Sequence, residues 1–497
     1  MNLKSVRKPA NIQAFLAGGP QQMRLLMRAF WSGVFLLVTF AAFTSQPAWV
    51  ESDLGAILIA AAALLPAYLW CSGKVKGVPI FPVYALTFLW TYALPLASNH
   101  PRVILYSAEA HLTVALTVAG FLFLGTAVWF KASHYALRPR KTLRTLDGRA
   151  GETFFFFVLA LNNLFISASI GGWLNLEAGI FSLIRAVLFG LSSLATFILV
   201  YQWGKGELSQ SKVVFLIVLL LTALFINVTS LLLVGALSMV LLAAVAFVLG
   251  RGRIPWIPLL LLLLCLVSLH YGKKAMRDKY WRNGEPQIAV QPWQYPARMV
   301  EWVSYSVEYL LRPERPDEVD PSAPQSFAER ASLVHLLLLA QEKSPQDVPY
   351  LMGATYAVIP QLLVPRLLLP DKAASHEGTY LLSIQYGLQT REDTLQTTIG
   401  WGLLNEAYGN FGLAGCAMLA ILLGWAYGQV ARWSLQAPVL SARFLFAVLV
   451  LSVAFQTEFS ASVYVTALFQ STVPLFLIAV VFMKPRPLEA ASAGAEK

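Results

Sequence analysis

About twelve apolar runs, each near the length of a helix that crosses a bilayer, restrict this chain more than any other feature in it. A hydrocarbon core of about 30 Å takes roughly 20 helical residues to cross, and backbone groups inside it must be satisfied within the segment. The runs fall at 28–46, 54–71, 80–97, 108–130, 153–170, 180–203, 212–228, 229–250, 254–271, 411–432, 439–456 and 463–483. Composition agrees: of 497 residues 57% are hydrophobic and 13% charged, against roughly 25% charged in soluble domains. The chain reads as one polytopic, all-α membrane protein.

The seventh and eighth runs are one stretch too long for a single span. Asn227, Val228, Thr229 and Ser230 interrupt it and supply a hairpin. Basic residues set the orientation. With the N-terminus inside, the inner segments hold 22 Lys and Arg, among them Lys74, Lys131, Arg144, Arg251, Arg432 and Lys484, while the short outer loops hold only Arg102. This asymmetry predicts a multi-pass membrane protein with both termini in the cytoplasm. The net charge of +11 thus reports topology and contact with the lipid bilayer, not nucleic acid. No small-residue cleavage site ends the run from about Phe30, so that run is a first span and not a removed signal. Cys71, Cys265 and Cys416 lie in or beside apolar runs without metal-ligand spacing, which argues against a disulfide framework or a zinc site.

The organisation expected is spans one to nine over 1–271, a large outer loop over 272–410, spans ten to twelve over 411–483, and a cytoplasmic tail over 484–497. The loop is near neutral, with 13 Lys and Arg against 16 Asp and Glu. Within it, 297–312 places Met299, Trp302, Val303, Val307, Leu310 and Leu311 at helical spacing opposite Glu301, Ser304 and Glu308, the pattern of an interfacial helix. Residues 329–343 repeat it with a row of leucines. Residues 348–370 are apolar but broken by Pro349, Pro360, Pro365 and Pro370, and a thirteenth span there would carry Arg432, Arg443 and Lys484 outside. A re-entrant or interface-lying segment is expected.

Charged groups at membrane depth are paired, face a cavity or serve a function. Arg185 lies just inside the outer end of the sixth span, where it either snorkels to headgroups or binds phosphate oxygens with its fixed fork of donors. In Val364-Pro-Arg-Leu-Leu-Leu-Pro-Asp-Lys372, followed by His376 and Gly378, prolines bracket Arg366 and lead to Lys372. Proline rigidity directs both cations, or the stretch is a solvated turn beside headgroups. In Trp401-Gly-Leu-Leu-Asn-Glu-Ala-Tyr-Gly-Asn-Phe-Gly-Leu-Ala-Gly415, Glu406 and Asn410 share a helix face. Glu406 is then either a buried structural partner or a base. Asp317 and Asp320 have metal-ligand spacing but sit in a proline-rich acidic stretch that reads as exposed loop, and no metal site is expected. His335, among leucines, and His270, at a span end, read as interface or core residues.

The long late outer loop, the Pro-Arg…Pro-Asp-Lys element and the Glu-Ala-Tyr-Gly-Asn-Phe-Gly approach to the next span resemble bacterial Wzy-type polymerases of O-antigen, capsule or exopolysaccharide. The likeness is in general layout across the chain and in motif over about 85 residues, 330–415. It implies a GT-C-like glycosyltransferase that moves a growing glycan from undecaprenyl pyrophosphate to the terminal sugar of an incoming lipid-linked oligosaccharide, with no nucleotide sugar or soluble cofactor. It also implies a flippase and a chain-length regulator as partners. Arg366, Lys372, Arg185, Arg330 and Arg391 then suit the pyrophosphate, with Asn410 beside the substrate, and Glu406 or His376 suits the base. Rival readings are an O-antigen ligase-like transferase, a transporter or flippase of lipid-linked glycans, and a structural subunit of a synthase. The single large outer loop, and the lack of paired halves or of helices broken near the midplane, speak against the transporter.

Overall fold

The computed structural model of the chain describes residues 20–44, 49–98, 100–134, 142–147, 150–174, 176–231, 233–253, 255–282, 285–286, 289–311, 331–435 and 437–487. Among them ten helices are long and apolar enough to cross a membrane. The first nine expected spans appear as α1 (Pro20–Thr44), α2 (Val50–Cys71), a third helix running from α3 (Ile80–Leu86) through a π-helical turn (Leu89–Ala93) to α4 (Leu94–Ala97), α5 (Ala108–His134), α6 (Glu152–Ile170), α7 (Ala178–Lys205), α8 (Gln210–Thr229), α9 (Leu233–Arg251) and α10 (Trp256–Tyr280). The loop carries α11 (Tyr295–Leu311), α12 (Val334–Lys343), α13 (Ala354–Ala357), α14 (Ile359–Leu363), α15 (Glu377–Gln385) and α16 (Arg391–Gln396). Then follow α17 (Gly402–Ser434), α18 (Ala442–Ala454) and α19 (Ala461–Val481). One segment expected as a span, α18, is an apolar helix of only 13 residues, while α9 has 19 residues, as many as α6.

Backbone and side-chain contacts sort the connections into two ends of the bundle. At one end β1 (Thr142–Leu146) pairs antiparallel with β2 (Met483–Pro487), and Thr145 also bridges Ser441. There the Val78 N–H donates to Ser434 Oγ at 3.0 Å, and Lys212 pairs with Glu152. At the other end the loop docks. The Val290 N–H donates to the Ile170 carbonyl (3.0 Å), Gln341 Nε2 to Thr117 Oγ1 (2.8 Å) and Gln456 Nε2 to Ser238 Oγ (2.7 Å).

Small residues bring the spanning backbones together, as expected where no hydrophobic drive separates helix from lipid. A side-chain carbon on Gly424 of α17 would stand 2.5 Å from the Gly125 carbonyl of α5, and one on Gly428 would meet Ala132 Cβ at 2.7 Å. Gly204 of α7 and Gly250 of α9 approach the same way. The polar interruption ends α8: Asn227–Thr229 are its last residues and the turn begins at Ser230, whose Oγ donates to the Asn227 carbonyl at 2.7 Å.

The loop layer is tied to the bundle by polar groups. Trp302 of α11 is buried and its indole donates to the Leu269 carbonyl of α10 at 2.7 Å. Helix α10 runs nine residues past the expected end of its span, giving α11 a wall to lie on. The π-helical turn holds the next tie: the Leu333 N–H donates to the Thr91 carbonyl (2.8 Å), and Tyr92 Oη donates to Asn405 Oδ1 (2.8 Å), whose Nδ2 in turn reaches the Leu333 carbonyl (2.9 Å). Residues 348–370 form the two short helices α13 and α14, with no spanning helix.

Helix α17 starts nine residues before the span expected at 411 and is broken at Gly412, whose φ of 61° and ψ of −145° are open only to glycine. A Cβ there would stand 2.6 Å from Tyr350 Oη. Gly412→Ala is expected to cost about 1–3 kcal/mol, read as a lower melting temperature in detergent. Adding Tyr350→Ala removes the ring that a Cβ would meet but not the backbone strain, so relative to Tyr350→Ala alone Gly412→Ala should still lower the melting temperature; no further loss would mean the cost comes from Tyr350 alone.

Candidate functional site

The first stretch of α17, from Gly402 to Asn410, is buried throughout, and its polar residues are committed to holding the loop layer. Asn410 spends its groups on the turn before α13. Its Oδ1 accepts from the Gly353 N–H (3.0 Å), and its Nδ2 donates to Thr355 Oγ1 (2.9 Å) and to the Glu406 carbonyl (2.8 Å). The Leu351 and Met352 N–H groups add bonds to the carbonyls of Gly409 and Asn410. Asn410 is therefore a staple between chain segments.

Glu406 is sealed from solvent. Its Oε2 accepts the Ala461 N–H at 2.5 Å, in the first turn of α19, and the Thr355 hydroxyl also interacts with the carboxyl group. Its Oε1 makes no hydrogen bond of ordinary geometry. A carboxylate at a helix N-terminus satisfies an orphan donor and meets the positive end of the dipole. The carboxyl group thus caps the last long helix, and the enclosing walls keep it from a sugar hydroxyl.

The start of α15 joins the same cluster. Ser462 Oγ donates to the Ser375 carbonyl at 2.9 Å, and Gly378 lies against Thr355 and Ser462. His376, between them, is half-buried with its ring 6.3 Å from that of Tyr380. Burial holds its pKa below the usual value, so the ring is neutral at physiological pH with one nitrogen lone pair available.

Arg366 and Lys372 come together, but in each other's service. Lys372 Nζ donates to the carbonyls of Leu362 (3.0 Å) and Val364 (2.5 Å) at the end of α14, and Arg366 Nη2 donates to the Lys372 carbonyl (3.4 Å). Burial and then the neighbouring Arg366 charge lower the Lys372 pKa. Arg391 is held by a forked pair to Glu377 at 2.8 and 3.1 Å, which raises its pKa and neutralises its charge locally. Arg185 is exposed on α7, and Arg330, like Asp317 and Asp320, lies outside the described residues. Of these groups Arg366, His376 and the exposed Arg185 are the least committed to partners within the protein.

Sequence reasoning missed Thr355, Ala461, Ser462 and Tyr92. They sit tens to hundreds of residues from their partners, and their only signal was a polar residue within or beside an apolar run. His335 is where expected, among leucines, with its ring stacked 5.5 Å from that of His100 and its Nδ1 3.0 Å from Ser332 Oγ. In comparisons with protein-family models, curated proteins and solved structures the chain matches none.

Two expectations follow for stability. Glu406→Leu keeps the volume but leaves the Ala461 N–H without its acceptor, and is expected to cost about 1–3 kcal/mol; an unchanged melting temperature would remove the capping role. Burial, with His100 and Arg102 adding to it, lowers the His335 pKa to about 3, against about 6.5 in the unfolded chain. Above pH 6.5 both states are neutral and His335 contributes nothing. As pH falls from 6.5 towards 3 only the unfolded chain takes the proton, so the fold loses stability. His335→Gln should flatten the dependence of melting temperature on pH in this window, whatever its effect at neutral pH.

Proposed function

We propose that the chain is a membrane-embedded polymerase of lipid-linked oligosaccharide repeat units, a GT-C-like glycosyltransferase working at the periplasmic face of a bacterial inner membrane with both termini in the cytoplasm. The observation that carries this reading is a neutral, half-buried histidine, His376, in the same loop layer as Arg366, ten residues before it, at the end of the bundle where the loop docks. A glycosyl pyrophosphate already has a competent leaving group. Its transfer needs a base for the acceptor hydroxyl, a cation for the charge that develops on the departing pyrophosphate, and a surface that positions both lipids.

In this reading the acceptor sugar hydroxyl attacks the anomeric carbon of the donor glycan as the bond from that carbon to the pyrophosphate oxygen breaks. His376 takes the hydroxyl proton. Undecaprenyl pyrophosphate leaves with the bonding pair, and Arg366 offsets its charge. Glu406 acts as a positioning residue by capping α19, as does Asn410 by stapling the turn before α13. Arg391, already paired with Glu377, contributes to the shape of α15 and α16. Arg185 meets lipid headgroups on α7. A flippase delivering the repeat and a chain-length regulator complete the pathway.

The Gly412 break, where the backbone leaves the helix, favours this reading over a transporter. It lies towards the loop end of α17, whereas a transporter would place its unwound segments near the midplane. The π-helical turn falls midway along the third helix but stays helical.

The test is turnover in lipid nanodiscs with a lipid-pyrophosphate-linked repeat unit and no nucleotide sugar, resolved as a glycan ladder. Wild type should produce the ladder, and Arg366→Ala and His376→Gln should each lower it by about 10²–10⁴-fold. The acid limb of the wild-type pH profile should lie below pH 6.5, because the base must stay unprotonated, and the residual activity of His376→Gln should lack that limb. No ladder from authentic substrate would end the polymerase reading. Transfer of the glycan to a lipid A core in place of chain growth would make the protein a ligase, and movement of intact lipid across the bilayer would make it a transporter.

A further inference from the structure

Between α14 and α15 the chain holds out a run of apolar side chains. Leu368 is 74% exposed and Leu367 51%, and Val364 and Leu369 are exposed beside them. A continuous apolar run facing outward on a membrane protein needs an apolar medium or a partner. The turn is constructed to present it. The N–H groups of Leu368 and Leu369 both donate to the Pro365 carbonyl, at 2.9 and 3.2 Å, so the leucines form the tip of a tight loop between Pro365 and Pro370.

The base of that loop is closed by charge. Lys372 Nζ grips the carbonyls of Leu362 and Val364, and Arg366 reaches the Lys372 carbonyl. Leucines thus occupy the tip and two cations the base, with the exposed Asp371 beside them. Helix α14, which leads into the loop, packs against α19, one of the long apolar helices. The loop therefore grows from the side of a membrane-spanning element at the end of the bundle where the loop layer docks.

We propose that the 364–370 turn inserts its leucines into the hydrocarbon of the lipid leaflet on the loop side, with Arg366 and Lys372 at the level of the lipid phosphates. The order of chemistry along the loop matches the order across a leaflet: apolar tip, cations at its base, and Asp371 on the side of water. A second copy of this chain or another protein would cover leucines as well, but would have no reason to set phosphate oxygens against the cations at their base. Arg366 uses one N–H group on the Lys372 carbonyl and keeps others for such oxygens. The inserted tip sets the depth of Arg366, so that a lipid-borne phosphate diffusing in the leaflet meets it without leaving the membrane plane. This holds for any lipid phosphate and does not depend on the polymerase reading.

The test uses the full chain in nanodiscs of phosphatidylethanolamine and phosphatidylglycerol. Cys265, the exposed cysteine, is changed to Ser, while Cys71 and Cys416 are buried. A nitroxide is placed in turn on Leu368→Cys and Asp371→Cys, and its collisions with oxygen and with a water-soluble nickel chelate are measured. Both positions are exposed, and a melting temperature matching that of the unlabelled protein checks the fold. The expected result is a ratio of oxygen to nickel collisions several-fold higher at 368 than at 371. Equal access of the nickel chelate at the two positions would overturn the proposal. So would exclusion of both reagents at 368, which is the signature of a protein cover.

Discussion

Hydrocarbon offers no hydrogen bonds, so a chain that leaves the helix inside or against it must bring its own donors and acceptors. The loop end of this bundle is organised around that constraint. Where the third spanning helix widens into a π-helical turn, Thr91 and Tyr92 face chain from far away, and Leu333 and Asn405 supply the partners. Where α14 ends, Lys372 fills the carbonyls left open. Where α19 begins, Glu406 meets its Ala461 N–H from another helix altogether. Thr91, Asn405, Lys372, Glu406 and Asn410 thus each take part in satisfying backbone groups that a neighbouring segment leaves open.

That explains which parts of the chain were legible in its sequence. Spanning length is a one-dimensional property, and ten of the expected segments are long apolar helices. The hairpin at Asn227–Ser230 and the interfacial helix carrying Trp302 were equally plain, because polar interruption and helical periodicity are local. The start of α17 was not. Its first nine residues include Asn405, Glu406 and Asn410, which in a one-dimensional reading end a span before the helix itself ends. The shortness of α18 was likewise hidden, since apolar residues flank Ala442–Ala454 on both sides.

The site was legible only in outline. The stretches holding Arg366, Lys372, His376, Glu406 and Asn410 do gather at one end of the bundle, but sequence could not say which polar atoms were already spent. Charge alone made Lys372 and Arg391 look as available as Arg366. One is occupied by carbonyls and the other by Glu377. Burial alone separates His376 from Glu406: the first keeps a face towards solvent, and the second is enclosed and bonded to Ala461.

The pairing of β1 with β2 carries a consequence for how the protein is made. Thr142–Leu146 follows the fourth expected crossing, while its partner, Met483–Pro487, follows the last. A chain that enters the membrane from its N-terminus exposes the first strand long before the second leaves the ribosome, and the strand waits with an open edge through most of synthesis. Its closure joins the segment after the fourth crossing to the one after α19, so this face cannot be completed before Met483–Pro487 has been made.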